Sequence, residues 1–79
     1  MNNIISLDQL NISKKAKVFK INSDYELKRR LEDLGLIKGC TIQCEFKSPF
    51  NDPTAYLIKG CTIAIRNKDA KNILVIPYE

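Results

Sequence analysis

Ser23-Asp24-Tyr25-Glu26-Leu27-Lys28-Arg29-Arg30-Leu31-Glu32-Asp33-Leu34-Gly35-Leu36-Ile37-Lys38-Gly39-Cys40-Thr41-Ile42-Gln43-Cys44-Glu45-Phe46-Lys47 changes its period half-way along, and that change decides the fold class. The first part reads as a helix. Ser23 and Glu26 have the spacing of a capping box, in which the serine side chain accepts from the Glu26 amide and the glutamate reaches back to the Ser23 amide. Leu27, Leu31 and Leu34 follow at i, i+4 and i+7 as one apolar stripe. Gly35 stands where a left-handed cap needs no Cβ, and Leu36 can fold back onto the last turn as in a Schellman motif. On the polar face, Glu26 with Arg30, Lys28 with Glu32 and Arg29 with Asp33 are i, i+4 pairs worth about 0.2–0.5 kcal/mol each, so much of the local positive charge is self-neutralised. After Gly39 the period becomes two. Cys40, Ile42, Cys44 and Phe46 share one face and Thr41, Gln43, Glu45 and Lys47 the other, as in a half-buried strand.

Outward from this stretch the chain is mostly strand. Ser6 is a candidate cap for a single helical turn through Gln9. Ala16 to Ile21 is β-rich but alternates imperfectly, which predicts a strand with a bend or bulge. Ser48-Pro49-Phe50-Asn51-Asp52-Pro53-Thr54 is a loop, since its prolines cannot join a central ladder. Ala55–Lys59 and Thr62–Arg66 predict a hairpin around Gly60-Cys61, with Gly60 taking a positive φ. Asn67 to Lys71 reads as one Asn-capped helical turn, and Asn72 to Ile76 as a last strand stopped by Pro77. About five short strands and one inserted helix predict a mainly β chain that curls into a small SH3-like barrel, because closure removes sheet edges. The helix is expected to cover one open end through its leucine stripe.

The chain has 79 residues, 44% hydrophobic and 28% charged, with a net charge of +4, three cysteines and neither His nor Trp. One domain spanning residues 1–79 is expected, burying only about 60% of the unfolded chain's surface. An enzyme built from two domains around a cleft is excluded. Without histidine there is no catalytic triad and no His-ligated zinc site. The odd cysteine count, with no basic and apolar leader at the start, predicts reduced thiols in a cytoplasmic protein. The longest apolar run, Ile73 to Ile76, falls far short of the roughly 20 residues that span a bilayer.

No motif brings a nucleophile beside a base, and no glycine-rich loop is present to cradle phosphates. No catalytic residue and no cofactor are expected. Cys40 and Cys44 are read as core residues rather than metal ligands, because they share the apolar strand face with Ile42 and Phe46. Asp24, Glu26, Glu32 and Asp33 are read as a solvated helix face. Lys14, Lys15, Lys17, Lys28, Arg29 and Arg30 are the residues a nucleic-acid reading would use, but no exposed strand alternates aromatic and basic side chains, and no nucleic-acid partner is expected. Phe50 between its prolines, the Leu36-Ile37-Lys38 turn and Arg66 remain as contact surfaces. An aromatic held between prolines loses little entropy on binding; the alternative is that Phe50 folds over the barrel mouth.

Leu27 to Gly39, the Ser48 to Pro53 loop and Gly60 to Val75 together resemble the helix and turn, proline-flanked loop and closing segment of the FeoA family, in the same order, over the chain from Ser6. Lys38 stands where proline is common, Cys40 where threonine is common, and Asn51 where glycine is common. The resemblance implies an SH3-like barrel that is not an enzyme: a cytoplasmic accessory of ferrous iron uptake, recruited to the inner face of the membrane by a FeoB-like permease with a GTP-binding domain. Arg29, Leu36, Ile37, Phe50 and Arg66 are the expected partner-binding residues, and a monomer is expected. The alternative is a metal-sensing module akin to the SH3-like C-terminal domain of iron-dependent repressors.

Overall fold

Among the described residues, six strands, a 3-10 turn and two helices form where the local signals place most of them. The computed structural model describes residues 3–78. In chain order these are β1 (Ile5–Ser6), the 3-10 turn Leu7–Gln9, β2 (Lys15–Ile21), α1 (Tyr25–Asp33), β3 (Thr41–Lys47), β4 (Thr54–Ile58), β5 (Cys61–Ile65), α2 (Asn67–Ala70) and β6 (Ile73–Pro77). The strands make one antiparallel sheet in the order β1-β6-β2-β3-β4-β5. The expected count of about five strands is thus six. The missed strand, β1, is two residues long and gains its identity only by pairing Ile5 with Val75 and Ser6 with Leu74.

The sheet is open: β1 and β5 stand at its two ends and are not hydrogen-bonded to each other, which corrects the expectation of a closed barrel. It nevertheless surrounds one core. Leu7, Val18, Leu31, Ile42, Tyr56, Ile65, Ala70 and Val75, from the 3-10 turn, five strands and both helices, belong to a single buried cluster. A flat sheet could not bring residues from so many strands together, so the strands curve around that cluster. Tyr56 on β4, 1% exposed, reaches across it and donates from Oη to the Leu7 carbonyl at 3.4 Å.

Two bulges set which side chains face inward. The register between β2 and β6 shifts between Val18 and Lys20, so Ala16 and Val18 point in before the bulge and Ile21 after it. This is the irregularity expected in that strand. The second shift, on β3 between Cys44 and Phe46, has no signal in the alternation. One added residue reverses the faces beyond it. Ile42 and Cys44 are buried as expected, but Phe46 is 58% exposed. Cys40 lies in the turn before β3, half-buried against the core.

Helix α1 starts one residue later than the capping-box reading. Asp24 is the cap, its Oδ1 accepting from the Leu27 amide at 2.8 Å, while the Ser23 hydroxyl donates to the Asp24 carbonyl. A carboxylate there also faces the positive end of the helix dipole. At the other end the Schellman motif forms in full. Gly35 takes φ +101, its amide donates to the Glu32 carbonyl at 3.0 Å, and the Leu36 amide donates to the Leu31 carbonyl at 2.9 Å. The return of the chain carries Leu36 into the core and leaves Leu34 55% exposed, so the buried stripe is Leu27, Leu31 and Leu36 rather than Leu27, Leu31 and Leu34. Arg29 Nη1 donates to Tyr25 Oη at 3.2 Å instead of meeting Asp33.

The hairpin turn is Lys59-Gly60, not Gly60-Cys61. Both residues have positive φ and Ile58 pairs directly with Cys61, the pattern of a two-residue type I′ connection. Ser6 does not cap the 3-10 turn through its side chain, which donates to Asp8. Asn67 is the first residue of α2 rather than its cap, and β6 runs through Pro77.

Burial of Tyr56 has a measurable consequence. Loss of hydration pushes its pKa up to about 12, the neighbouring Cys44 adding to the rise. The unfolded chain would ionise this phenol near 10, so the stabilisation is complete below pH 10 and is lost as pH rises toward 12. Two units at about 1.4 kcal/mol each amount to roughly 2–3 kcal/mol. Urea melts at pH 9 and pH 11.5 should show about 2 kcal/mol more loss in the native protein than in Tyr56→Phe; equal losses in the two would refute the assignment.

Candidate functional site: interaction surfaces

The five residues singled out from sequence do not converge on one site. Leu36 is 0% exposed and lies in the core, so it cannot touch a partner. Ile37 is exposed beside it, at the end of the molecule where Gly35 faces Lys59 and Ile58. Arg29 projects from the outer side of α1. Phe50 and Arg66 are at the other end. β3 runs from Thr41, near Ile37, to Lys47, near Phe50, and seven residues at about 3.3 Å separate the two ends by roughly 20 Å.

Phe50 is 90% exposed, so it does not fold over the core as a lid: it covers nothing. The loop that carries it is nonetheless held. The Ser48 amide donates to the Pro53 carbonyl at 3.2 Å, the Asn51 amide to the Ser48 carbonyl at 2.7 Å and the Asp52 amide to Ser48 Oγ at 3.0 Å. Asp52 Oδ1 in turn accepts from the Asn67 amide at 3.0 Å, capping α2 from fifteen residues away. Asn67 Nδ2 donates to the Asn51 carbonyl at 2.6 Å, and the buried Thr54 donates from Oγ1 to Asn67 Oδ1 at 3.3 Å. Asn67 is therefore the fastener between loop and helix, a role sequence spacing gave no sign of. The Asn51-Asp52 tip and Asn67 together fix Phe50 on the surface while leaving its ring free.

Leu27, Leu34 and Ile63 line a groove of about 360 Å³ between α1 and β5, with Arg30, Arg66 and Asp69 among its charged residues. On the opposite side of α1, Phe19, Lys20, Lys28 and Lys38 border a smaller depression. Cys61 is exposed on the edge strand β5 and Cys44 is enclosed, its thiol pKa raised chiefly by burial. Among the described residues, no three His, Cys, Asp or Glu side chains are grouped as metal ligands, and no helix is long and apolar enough to cross a membrane.

The FeoA domain model matches residues 5–77, nearly the full length of the chain. The chain belongs to the FeoA family. The FeoA protein of Chlorobium tepidum superposes with a TM-score of 0.91 at 27% identity, over 95% of this chain and 71% of that one. A FeoA-like protein from Clostridium acetobutylicum is 35% identical over 95% of this chain and 87% of its own, with a TM-score of 0.83. The zinc-complexed FeoA of Stenotrophomonas maltophilia, described as a prokaryotic SH3 domain protein, is 25% identical over 90% and 88% of the two chains, with a TM-score of 0.79. The SH3-like character expected from sequence holds, with the sheet open. A manganese-dependent transcriptional repressor shares the fold at 15% identity and a TM-score of 0.86, the match covering 99% of this chain and 44% of the repressor. A sequence comparison with curated proteins gives no match.

Proposed function

We propose that this FeoA-family chain is a cytoplasmic accessory of ferrous iron uptake that docks on the FeoB-type GTPase permease, modulates iron transport and performs no chemistry of its own. The observation that carries this reading is the match of the FeoA domain model across residues 5–77. Supporting it, the exposed large apolar residues Phe50, Ile37 and Leu34 sit on turns and loop tips, where a partner can reach them. Deleting the gene should lower ferrous uptake under iron limitation, measured with radioactive iron, and plasmid-borne protein should restore it. Unchanged uptake in the deletion strain would overturn the proposal.

The likeness to the repressor supports a second reading, a metal-sensing module. Anaerobic calorimetry with ferrous or manganous ion separates the two, since a sensor must bind stoichiometrically and a docking module need not.

A further inference from the structure

Three lysines from three parts of the chain meet around Phe19. Lys20 comes from β2, Lys28 from α1 and Lys38 from the turn after α1, and with Phe19, Ile21 and Glu32 they line a depression of about 350 Å³. The backbone builds this arrangement. The β2 bulge re-aims Phe19, and the turn carrying Lys38 is tied down beside it by the Gly39 amide donating to the Val18 carbonyl at 2.7 Å and the Val18 amide donating to the Cys40 carbonyl at 2.9 Å. Lys38 Nζ sits 5.7 Å from the centre of the Phe19 ring. Glu32 is the one carboxylate against three ammonium groups. The basic character continues along β2, where Lys15 is paired with Gln43, and Lys17 with Thr41 on one side and Ile76 on the other. The charges lining this depression thus run three to one in favour of lysine, whereas those lining the α1–β5 groove are balanced, Arg30, Arg66 and Lys68 against Asp24, Glu26 and Asp69.

We propose that this face docks an acidic segment of the permease's cytosolic surface, its carboxylates entering among Lys20, Lys28 and Lys38; the inference rests on the docking function above. A cluster with a net positive charge gains most from a partner of opposite sign, which both relieves its self-repulsion and steers encounter. Lysine presents hydrated point charges suited to separate carboxylates. Nucleic acid fits less well, because the Phe19 ring is half-buried and already faced by Lys38, leaving no open aromatic plane on which a base could stack.

The test uses full-length permease in phosphatidylcholine nanodiscs, empty nanodiscs and a mixed-sequence RNA 20-mer, titrated against labelled protein. The native chain should bind the permease, with affinity falling as salt is raised. Lys20→Glu/Lys28→Glu/Lys38→Glu should weaken binding at least tenfold, the corresponding glutamine triple should weaken it by an intermediate amount, and Lys71→Glu should stay within twofold of native. Circular dichroism establishes that each variant is folded. Native binding that both triples leave unchanged would overturn this face while leaving the docking function standing. No native binding to the permease would overturn both. Equal or tighter binding to RNA or to empty nanodiscs, lost in the triples, would assign the face to another partner and overturn the proposal.

Discussion

Leu36→Ala should cost this protein about 2–5 kcal/mol, the range for truncating a leucine in a packed core. For a chain of 79 residues at roughly 0.05–0.15 kcal/mol per residue, total stability is on the order of 4–12 kcal/mol, so the loss is a large fraction of what holds it folded. Leu36 is fully enclosed, and its amide closes the Schellman motif against Leu31. Truncation therefore opens a cavity where the return from α1 meets the core. The melting temperature should drop by about 10 °C or more, since each kcal/mol shifts it by roughly 4–8 °C in a domain of this size. A melting temperature within 3 °C of native would show that Leu36 does not pack as described. Any loss of docking in this variant would report unfolding.

Phe50→Ala should do the reverse. A ring that is 90% exposed and covers nothing contributes little to folding, so stability should stay within about 0.5 kcal/mol. Docking on the permease should weaken by about tenfold or more, the effect of removing an aromatic anchor whose loop is already ordered by Asp52 and Asn67. Binding in nanodiscs and uptake by a complemented deletion strain measure the two sides. Native affinity in a folded Phe50→Ala protein would remove this ring from the interface. Together the two variants separate residues that sequence alone placed in one group.

That grouping shows where sequence reading reached and where it stopped. Phe50 was legible as a surface candidate because flanking prolines keep a segment out of a central ladder whatever surrounds it. Leu36 was legible as the residue that folds back after Gly35, yet its place in the contact surface was wrong. The turn decides that Leu36 returns, but packing into the shared core decides that it is enclosed and that Leu34 is left out. Phe46 failed for a similar reason. Its alternation with Ile42 and Cys44 is perfect, and only pairing with β4 introduces the bulge that turns it outward. Asn67 looked like a helix cap, since Asn is favoured there. Its actual partners, Asp52, Asn51 and Thr54, are thirteen to sixteen residues away, beyond the reach of any local pattern.

The sequence by itself determined the features whose decisive contacts lie within about six residues: the glycine stop of α1 and the positive φ at Gly60. It also determined the family, because motif order along a chain needs no coordinates. Only the tertiary structure decided the strand order, the open sheet, the β3 bulge, the enclosure of Leu36 and the meeting of Lys20, Lys28 and Lys38 around Phe19. Each of these depends on which distant segments share space, and one residue of register reverses a face. Local hydrogen bonds and side-chain sterics can specify an element, but which of its side chains reaches a partner is settled by how the elements pack.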